Sequence, residues 1–437
     1  MELQTQQGIY DARTLGPAKF TILGIQHLFA MFGATILVPA ITGLNVSATL
    51  LFAGIGTLLF HFIAKWKVPA FLGSSFAFIG GYLSIKQLGM GQGLPEHLSL
   101  DYACIGVACA GLCYFIMAAL IKLFGSDRVL RYFPPVVTGP MVVSIGLCLS
   151  GSAITNASED WPLALVAIIT VIVCNMWGKG IVRIVPILLG VVASYGLAVA
   201  TGKVDFTTFN EAAWIGLPVA RENTILAVFD NPNYTLITSS IIAIMPIAFA
   251  TIMEHIGDMC AISGTVGKPF LVDPGLHRTL TGDGIATALA SLFGAPANTT
   301  YGENTGVLNI TKVFDPRVIR LAAVFAILLS FCPKFTSLVG LMPSATIGGV
   351  SLILYGMISA VGIRNMVEAN VDFASMRNII IAALILVIAI GVKYGANDSV
   401  AIGAIHFSGL ALAAIIGILL NAILPHHIDI DIEQYAN

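Results

Sequence analysis

Apolar residues come in long runs separated by short polar turns, and a helix needs roughly 20 of them to cross a hydrocarbon core. The pattern predicts seven such runs in the first half of the chain, at 20–44, 48–64, 68–85, 103–124, 133–154, 162–177 and 184–200. A polar stretch from about Thr201 to Asn233 follows. Seven more runs occupy 235–257, 279–293, 294–310, 318–341, 344–362, 378–392 and 410–424. The predicted fold class is an all-α polytopic membrane protein of about 14 transmembrane segments.

Composition agrees. Hydrophobic residues are 57% of the 437, charged residues only 10%, and mean hydropathy is +0.91, so most of the surface must face lipid. With the N-terminus in the cytoplasm, sixteen of the 21 lysines and arginines fall in cytoplasmic turns, among them Lys65, Lys179, Arg183, Lys268, Lys312 and Arg364. Only Lys86, Lys203, Arg221, Lys334 and Lys393 fall outside. That bias predicts a multi-pass protein of the cytoplasmic (inner) membrane with both ends in the cytoplasm. A net charge of −2 without a basic block argues against nucleic acid as a partner. The seven cysteines, including Cys104, Cys109, Cys113 and Cys148, sit mostly in apolar runs without metal-ligand spacing. No metal, cofactor or disulfide framework is expected. The polar N-terminal segment lacks the pattern of a cleaved signal peptide.

The two halves echo each other. Ile25-Gln26-His27-Leu28 matches Met253-Glu254-His255-Ile256, and Ser74-Ser75-Phe76 matches Thr299-Thr300-Tyr301. Pro134 with Gly139 matches Pro343 with Gly348. The offsets are about 228, 225 and 209 residues, in the same order along the chain. Residues 1–215 and 216–437 are therefore expected to be two seven-span repeats. An odd number of spans inverts the second copy, an architecture of secondary transporters that bind substrate near the midplane.

Spans three and ten read badly as lipid-facing helices. Val68–Phe78 contains Pro69, Gly73 and the Ser74-Ser75 pair, and Gly294–Asn304 contains Pro296, the Thr299-Thr300 pair and Gly302. Proline, glycine and β-branched residues predict an extended stretch turning into a half-helix. Such backbone survives at membrane depth only when buried in protein or lining a polar cavity. Breaks at corresponding places in both halves point to a binding site, with half-helix N-termini near Phe76 and Gly302 presenting free N–H groups.

An acid at the bilayer centre costs roughly 2.5–3.5 kcal/mol on insertion scales, which marks it as functional. Glu303 follows the break in span ten. Glu254 and Asp258, four residues apart at the end of span eight, share a helix face. A lone histidine on an apolar face is more often a hydrogen-bonded structural residue than a ligand, and His27 and His255 are read that way. Asp283, between two glycines, reads as a helix-end or loop acid, and His426 with His427 as interfacial.

The run from Glu303 to Lys312, an acid followed by Asn304-Thr305-Gly306, four residues, Thr311 and a base, resembles the signature of the nucleobase–ascorbate transporter family. The likeness extends to QHLFAMFGATILVP in span one, AFLGSSFAF in span three, EHIGD in span eight and DPGLHR after it, and is greatest to the family's bacterial uracil-permease branch. The resemblance implies a core domain of spans one to four and eight to eleven, and a gate domain of spans five to seven and twelve to fourteen. Dimers are common in that family, which makes a homodimer one expected assembly. By motif, Glu254 and Glu303 would read the ring N–H groups of a nucleobase. Phe76 would stack on the ring beside Ser75, and Gly302 would donate to a carbonyl. Ala34 would pack on the ligand, and Asn304 would support the site. Asp258 stands where some uracil permeases have histidine. Pro296-Ala297 stands where relatives often have proline directly before asparagine. Glu303 stands where purine-selective relatives often have glutamine, which favours uracil.

The chemistry fits on its own terms. Uracil offers two N–H donors and two carbonyl acceptors, matching two carboxylates and two helix N-termini. Burial and a neighbouring acid both disfavour the charged carboxylate, so one of Glu254, Asp258 and Glu303 is expected to carry the proton of a uracil–proton symport. Competing readings are a xanthine or urate symporter of the same family and an anion transporter of the same fold. A membrane enzyme would need a nucleophile–base pair or metal cluster, and neither is found.

Overall fold

The computed structural model describes residues 8–125, 128–129, 133–396, 399–402 and 405–425. His426 and His427 lie outside the described residues. The chain is mostly helical because lipid leaves no water to satisfy backbone groups, so each span must close its own hydrogen bonds. The first half forms α1 (Pro17–Thr42), α2 (Val46–Ile63), strand β1 (Leu72–Ser74), α3 (Ile79–Gly91) and α4 (Glu96–Phe124). Then come α5 (Pro135–Ser158), α6 (Trp161–Trp177) and α7 (Pro186–Ala200). The second half forms α8 (Tyr234–Ile244), α9 (Ile247–Val266), α10 (Leu276–Leu292), strand β2 (Asn298–Thr300) and α11 (Gly302–Thr311). It continues with α12 (Pro316–Ser330), α13 (Pro333–Gly340), α14 (Ser344–Glu368) and α15 (Met376–Gly395). A hairpin of β3 (Ser399–Ile402) and β4 (Ile405–Ser408), which the hydropathy pattern did not reveal, leads into α16 (Gly409–Ile423).

Among the described residues, seven helices are long and apolar enough to cross a membrane, counting α8 and α9 as one. The pair α12 and α13 adds an eighth, bent by 85°. The predicted span at 318–341 is thus bent, whereas that at 235–257 crosses as one span with a local break at Met245–Pro246. Each break has a proline, Pro246 and Pro333, which removes a donor and clashes with the preceding turn. Span eight also runs further than predicted, to Val266, so Glu254 and Asp258 lie inside α9 rather than at its end. Asp283 is a second correction. It sits in the middle of α10 and is fully buried, not in a loop.

The helices pack in two groups. In one, α2, α4 and α10 pack together with α12, α1 and α8. In the other, α5 packs on α14 and α15, and α6 on α7 and α14. Without a hydrophobic drive between spans, close approach depends on small residues. A Cβ built on Gly146 of α5 would lie 2.3 Å from the carbonyl oxygen of Tyr355, and one on Gly348 of α14 would lie 2.3 Å from the amide of Ala157. Gly146→Leu is expected to force α5 and α14 apart and cost about 1–3 kcal/mol or more. A melting midpoint in detergent equal to that of the unaltered protein would refute this packing.

Candidate functional site

The two predicted breaks meet. Strand β1 pairs antiparallel with β2, with Leu72 opposite Thr300, Gly73 opposite Thr299 and Ser74 opposite Asn298. Their backbone groups are closed off by neighbours, as burial away from water demands. The Tyr301 amide donates to the Phe71 carbonyl at 2.9 Å and the Ser75 amide to that of Ala297 at 2.8 Å. Asn298 Nδ2 donates to the Phe52 carbonyl at 2.6 Å, and the Thr287 hydroxyl to the Asn298 carbonyl at 2.5 Å. The Tyr301 hydroxyl, buried between the strands and α1, donates to the Ser74 carbonyl at 2.8 Å and lies 3.2 Å from Thr35 Oγ1.

Each strand then turns into a helix. Residues Phe76–Phe78 form one 3-10 turn before α3, and Gly302 opens α11. Neither Ser75 nor Tyr301 makes a side-chain cap bond, so first-turn N–H groups at both helix starts are left for another acceptor. The hydroxyl of Ser75 is buried and has no partner among the described residues.

A cavity of about 770 Å³ lies over these two helix starts. One wall holds Ala34, Ser75, Phe76, Glu254, Asp258, Gly302 and Glu303. The facing wall is apolar, with Val142, Ile145, Ile187, Leu354 and Ile358 from α5, α7 and α14. The cavity continues past Gly306, Asn309 and Ile310 to Arg183, Arg364 and Glu368, so it opens at the end rich in lysine and arginine. On the opposite side α3 approaches α5 and α16, where Gly80 lies beside Leu149 and Leu410.

Seven of the eight candidate residues therefore line one cavity. Asn304 does not. It is buried on the other side of α11, where its Nδ2 lies 3.1 Å from both the carbonyl oxygen and Nδ1 of His27. Asn304 and His27 together fix α11 against α1. Asp258 receives a hydrogen bond from Thr300 Oγ1 at 2.8 Å, and a Cβ at Gly302 would find Asp258 Oδ1 as its nearest neighbour, at 3.8 Å. Behind Thr300, at 3.5 Å, stands Nδ1 of His255, which is also 3.4 Å from Asp283 Oδ2. His255 is thus structural, but it belongs to a polar chain reaching from the cavity into the interior. Thr300, Tyr301 and Asp283 were not among the candidate site residues. The match of Thr299-Thr300-Tyr301 to Ser74-Ser75-Phe76 was the signal for the first two. For Asp283, the signal was a charge within a long helical run.

Comparison with known proteins agrees with this architecture. The model of the Permease family matches residues 18–397. A uracil permease of Bacillus caldolyticus is 42% identical over 95% of this chain and 94% of its own length. A uracil permease of Bacillus subtilis (strain 168) is 40% identical over 96% and 95%. The transmembrane domain of a cyanobacterium bicarbonate transporter, BicA, shares the fold, with a TM-score of 0.58 and 14% identity over 95% of this chain and 99% of that one. With the family model spanning most of its length and relatives of this identity spanning nearly all of it, the chain belongs to this permease family, the nucleobase–ascorbate transporters, and is a transporter rather than an enzyme.

Proposed function

We propose that the chain imports uracil with a proton across the cytoplasmic membrane by alternating access. The observation that carries this reading is the pairing of two carboxylates with two uncapped helix starts in one cavity. Glu254 and Glu303 accept from the two ring N–H groups, and the amides near Phe76 and Gly302 donate to the two carbonyls. The names of the relatives, uracil permeases, support the choice of nucleobase. Carboxylates repel an anion, so the bicarbonate transporter contributes a fold and not a substrate.

In this reading the two halves are inverted seven-span repeats. Helices α1–α4 and α8–α13 form a core that holds substrate, and α5–α7 with α14–α16 form the gate. Both ends of the chain lie in the cytoplasm, and the basic mouth of the cavity makes this the inward-open state. Movement of the core along the apolar gate wall would carry the site to the other side. Asp258, one turn from Glu254 and tied to Thr300, exchanges the coupled proton.

The test is uptake of radiolabelled uracil by cells lacking their own uracil permease, with and without a protonophore and with excess unlabelled xanthine. Uptake abolished by the protonophore and insensitive to xanthine is expected. No uracil uptake, or full competition by xanthine, would move the substrate to the purines. Phe76→Ala is expected to raise the half-saturating uracil concentration about ten-fold, since base–aromatic stacking contributes about 1–3 kcal/mol. An unchanged half-saturation would remove Phe76 from the ring contact.

A further inference from the structure

Glu254 and Glu303 stand on different helices, and both helices end at the same place. From Glu254 to the end of α9 is about 18 Å, and from Glu303 to the end of α11 about 12 Å, at 1.5 Å per residue. Toward these ends Gly257 and Ala261 of α9 and Gly306 and Ile310 of α11 are exposed along the cavity. The direct polar link is an exposed one, Asn309 Nδ2 to Thr265 Oγ1 at 3.3 Å.

The segment before α1 crosses both ends. The Ile9 amide donates to the Lys312 carbonyl at 2.8 Å and the Phe314 amide to the Ile9 carbonyl at 2.8 Å, a parallel bridge onto the chain leaving α11. Lys312 itself ends α11 in the left-handed region, φ 55°, so this exit is held and not relaxed. The Tyr10 hydroxyl donates to the Val266 carbonyl at 2.7 Å, one of the carbonyls that α9 cannot satisfy internally. The Tyr10 ring packs on Phe314, centroids 5.5 Å apart, and Lys268 Nζ lies 4.6 Å from the Tyr10 ring centroid. The Ala12 amide donates to the buried Asp315 carboxylate at 2.8 Å, and Arg317 reaches Asp11 at 3.1 Å. A Cβ at Gly8 would strike the Phe314 ring at 2.4 Å, so the strap lies flat against it.

We propose that residues 8–13 are a brace that sets the separation of α9 and α11, and so of Glu254 and Glu303, with Tyr10 as its positioning residue. The proposal rests on the reading of these two acids as the nucleobase contacts. A strap that merely tied down the N-terminus would need contacts to one of these helix ends. This one joins both, through one side chain and its backbone neighbour.

The experiment compares the full chain with Tyr10→Phe, which keeps the ring and loses the Val266 bond, and with Tyr10→Ala. Initial uracil uptake is measured against concentration, per molecule in the membrane. Amide hydrogen exchange of residues 302–311 is followed in detergent without substrate. Half-saturation is expected to rise about five-fold in Tyr10→Phe, the scale of one hydrogen bond, and about ten-fold in Tyr10→Ala, with maximal rate nearly kept. Exchange in 302–311 is expected to accelerate in both. If Tyr10→Ala does not reach the membrane, Tyr10→Phe alone decides. Unchanged half-saturation in a transporting variant overturns the brace, as does unchanged exchange. If the unaltered chain carries no uracil while exchange still accelerates in the variants, the substrate reading fails and the brace between the helices stands.

Discussion

Replacing Glu303 by glutamine is expected to reduce uracil uptake by about a hundred-fold or more at low substrate. The change is close to isosteric, and it sits in the first turn of α11 on the cavity side. The bonds that hold α11, from Asn304 to His27, lie on its buried side and are left alone. What changes is polarity at one point. A carboxylate presents acceptors on both oxygens, whereas an amide keeps one acceptor and puts an NH₂ donor in place of the other, beside a ring N–H and first-turn amides that all donate. A charge-assisted bond is lost and a buried donor is left facing a donor, together about 3 kcal/mol. Measurement is by initial rates of labelled uracil uptake, normalised to protein in the membrane. Uptake kept within a few-fold would mean that Glu303 does not read the ring. The same variant tested with labelled xanthine separates loss of transport from a change of preference, because glutamine is the residue expected in purine-selective relatives.

Much of this site was legible in the sequence because its parts break rules that lipid enforces. Proline, glycine and a polar pair gathered within one apolar run point to a broken span at membrane depth, and so Phe76, Ser75, Gly302 and Glu303 stood out. Charge in an apolar run did the same for Glu254 and Asp258. The apolar wall was not legible. Val142, Ile187 and Leu354 face the cavity, but an apolar residue facing a ligand and one facing a lipid tail look alike in hydropathy. The side of α11 that Asn304 occupies was lost for a related reason. The motif says that the residue matters, but only the turn of a ten-residue helix decides which way it faces. The bend at Pro333 and the local break at Pro246 carried their signals in the sequence, yet proline is tolerated within spans, as Pro39 in α1 and Pro140 in α5 show, so hydropathy alone did not mark them. Asp283 was misplaced because its flanking glycines suggested a turn, whereas in α10 they allow close packing, Gly282 against Phe60 and Gly284 against Tyr114.

Asp258→Asn is expected to separate binding from energy coupling. Asparagine keeps the volume and an acceptor for the Thr300 hydroxyl, 2.8 Å away in the parent, so the start of α11 beside it should stay in place. It cannot take up or release a proton. A group couples transport to the proton gradient only if its proton occupancy differs between the two orientations of the site, because a ligand bound equally in both states shifts nothing. Exchange of external labelled uracil for internal unlabelled uracil needs no net proton movement and is expected to survive in Asp258→Asn. Concentrative uptake is expected to fall to equilibration, with the dependence on external pH and the sensitivity to protonophore both lost. Glu303→Gln, by contrast, should lose exchange and accumulation together, since it removes a contact to the substrate itself. The pair of variants thus distinguishes a carrier of the proton from a reader of the base. If Asp258→Asn still accumulates uracil with the parent's pH dependence, the proton rides on Glu254 or Glu303, and the Thr300 bond to Asp258 serves only to align the two helix starts.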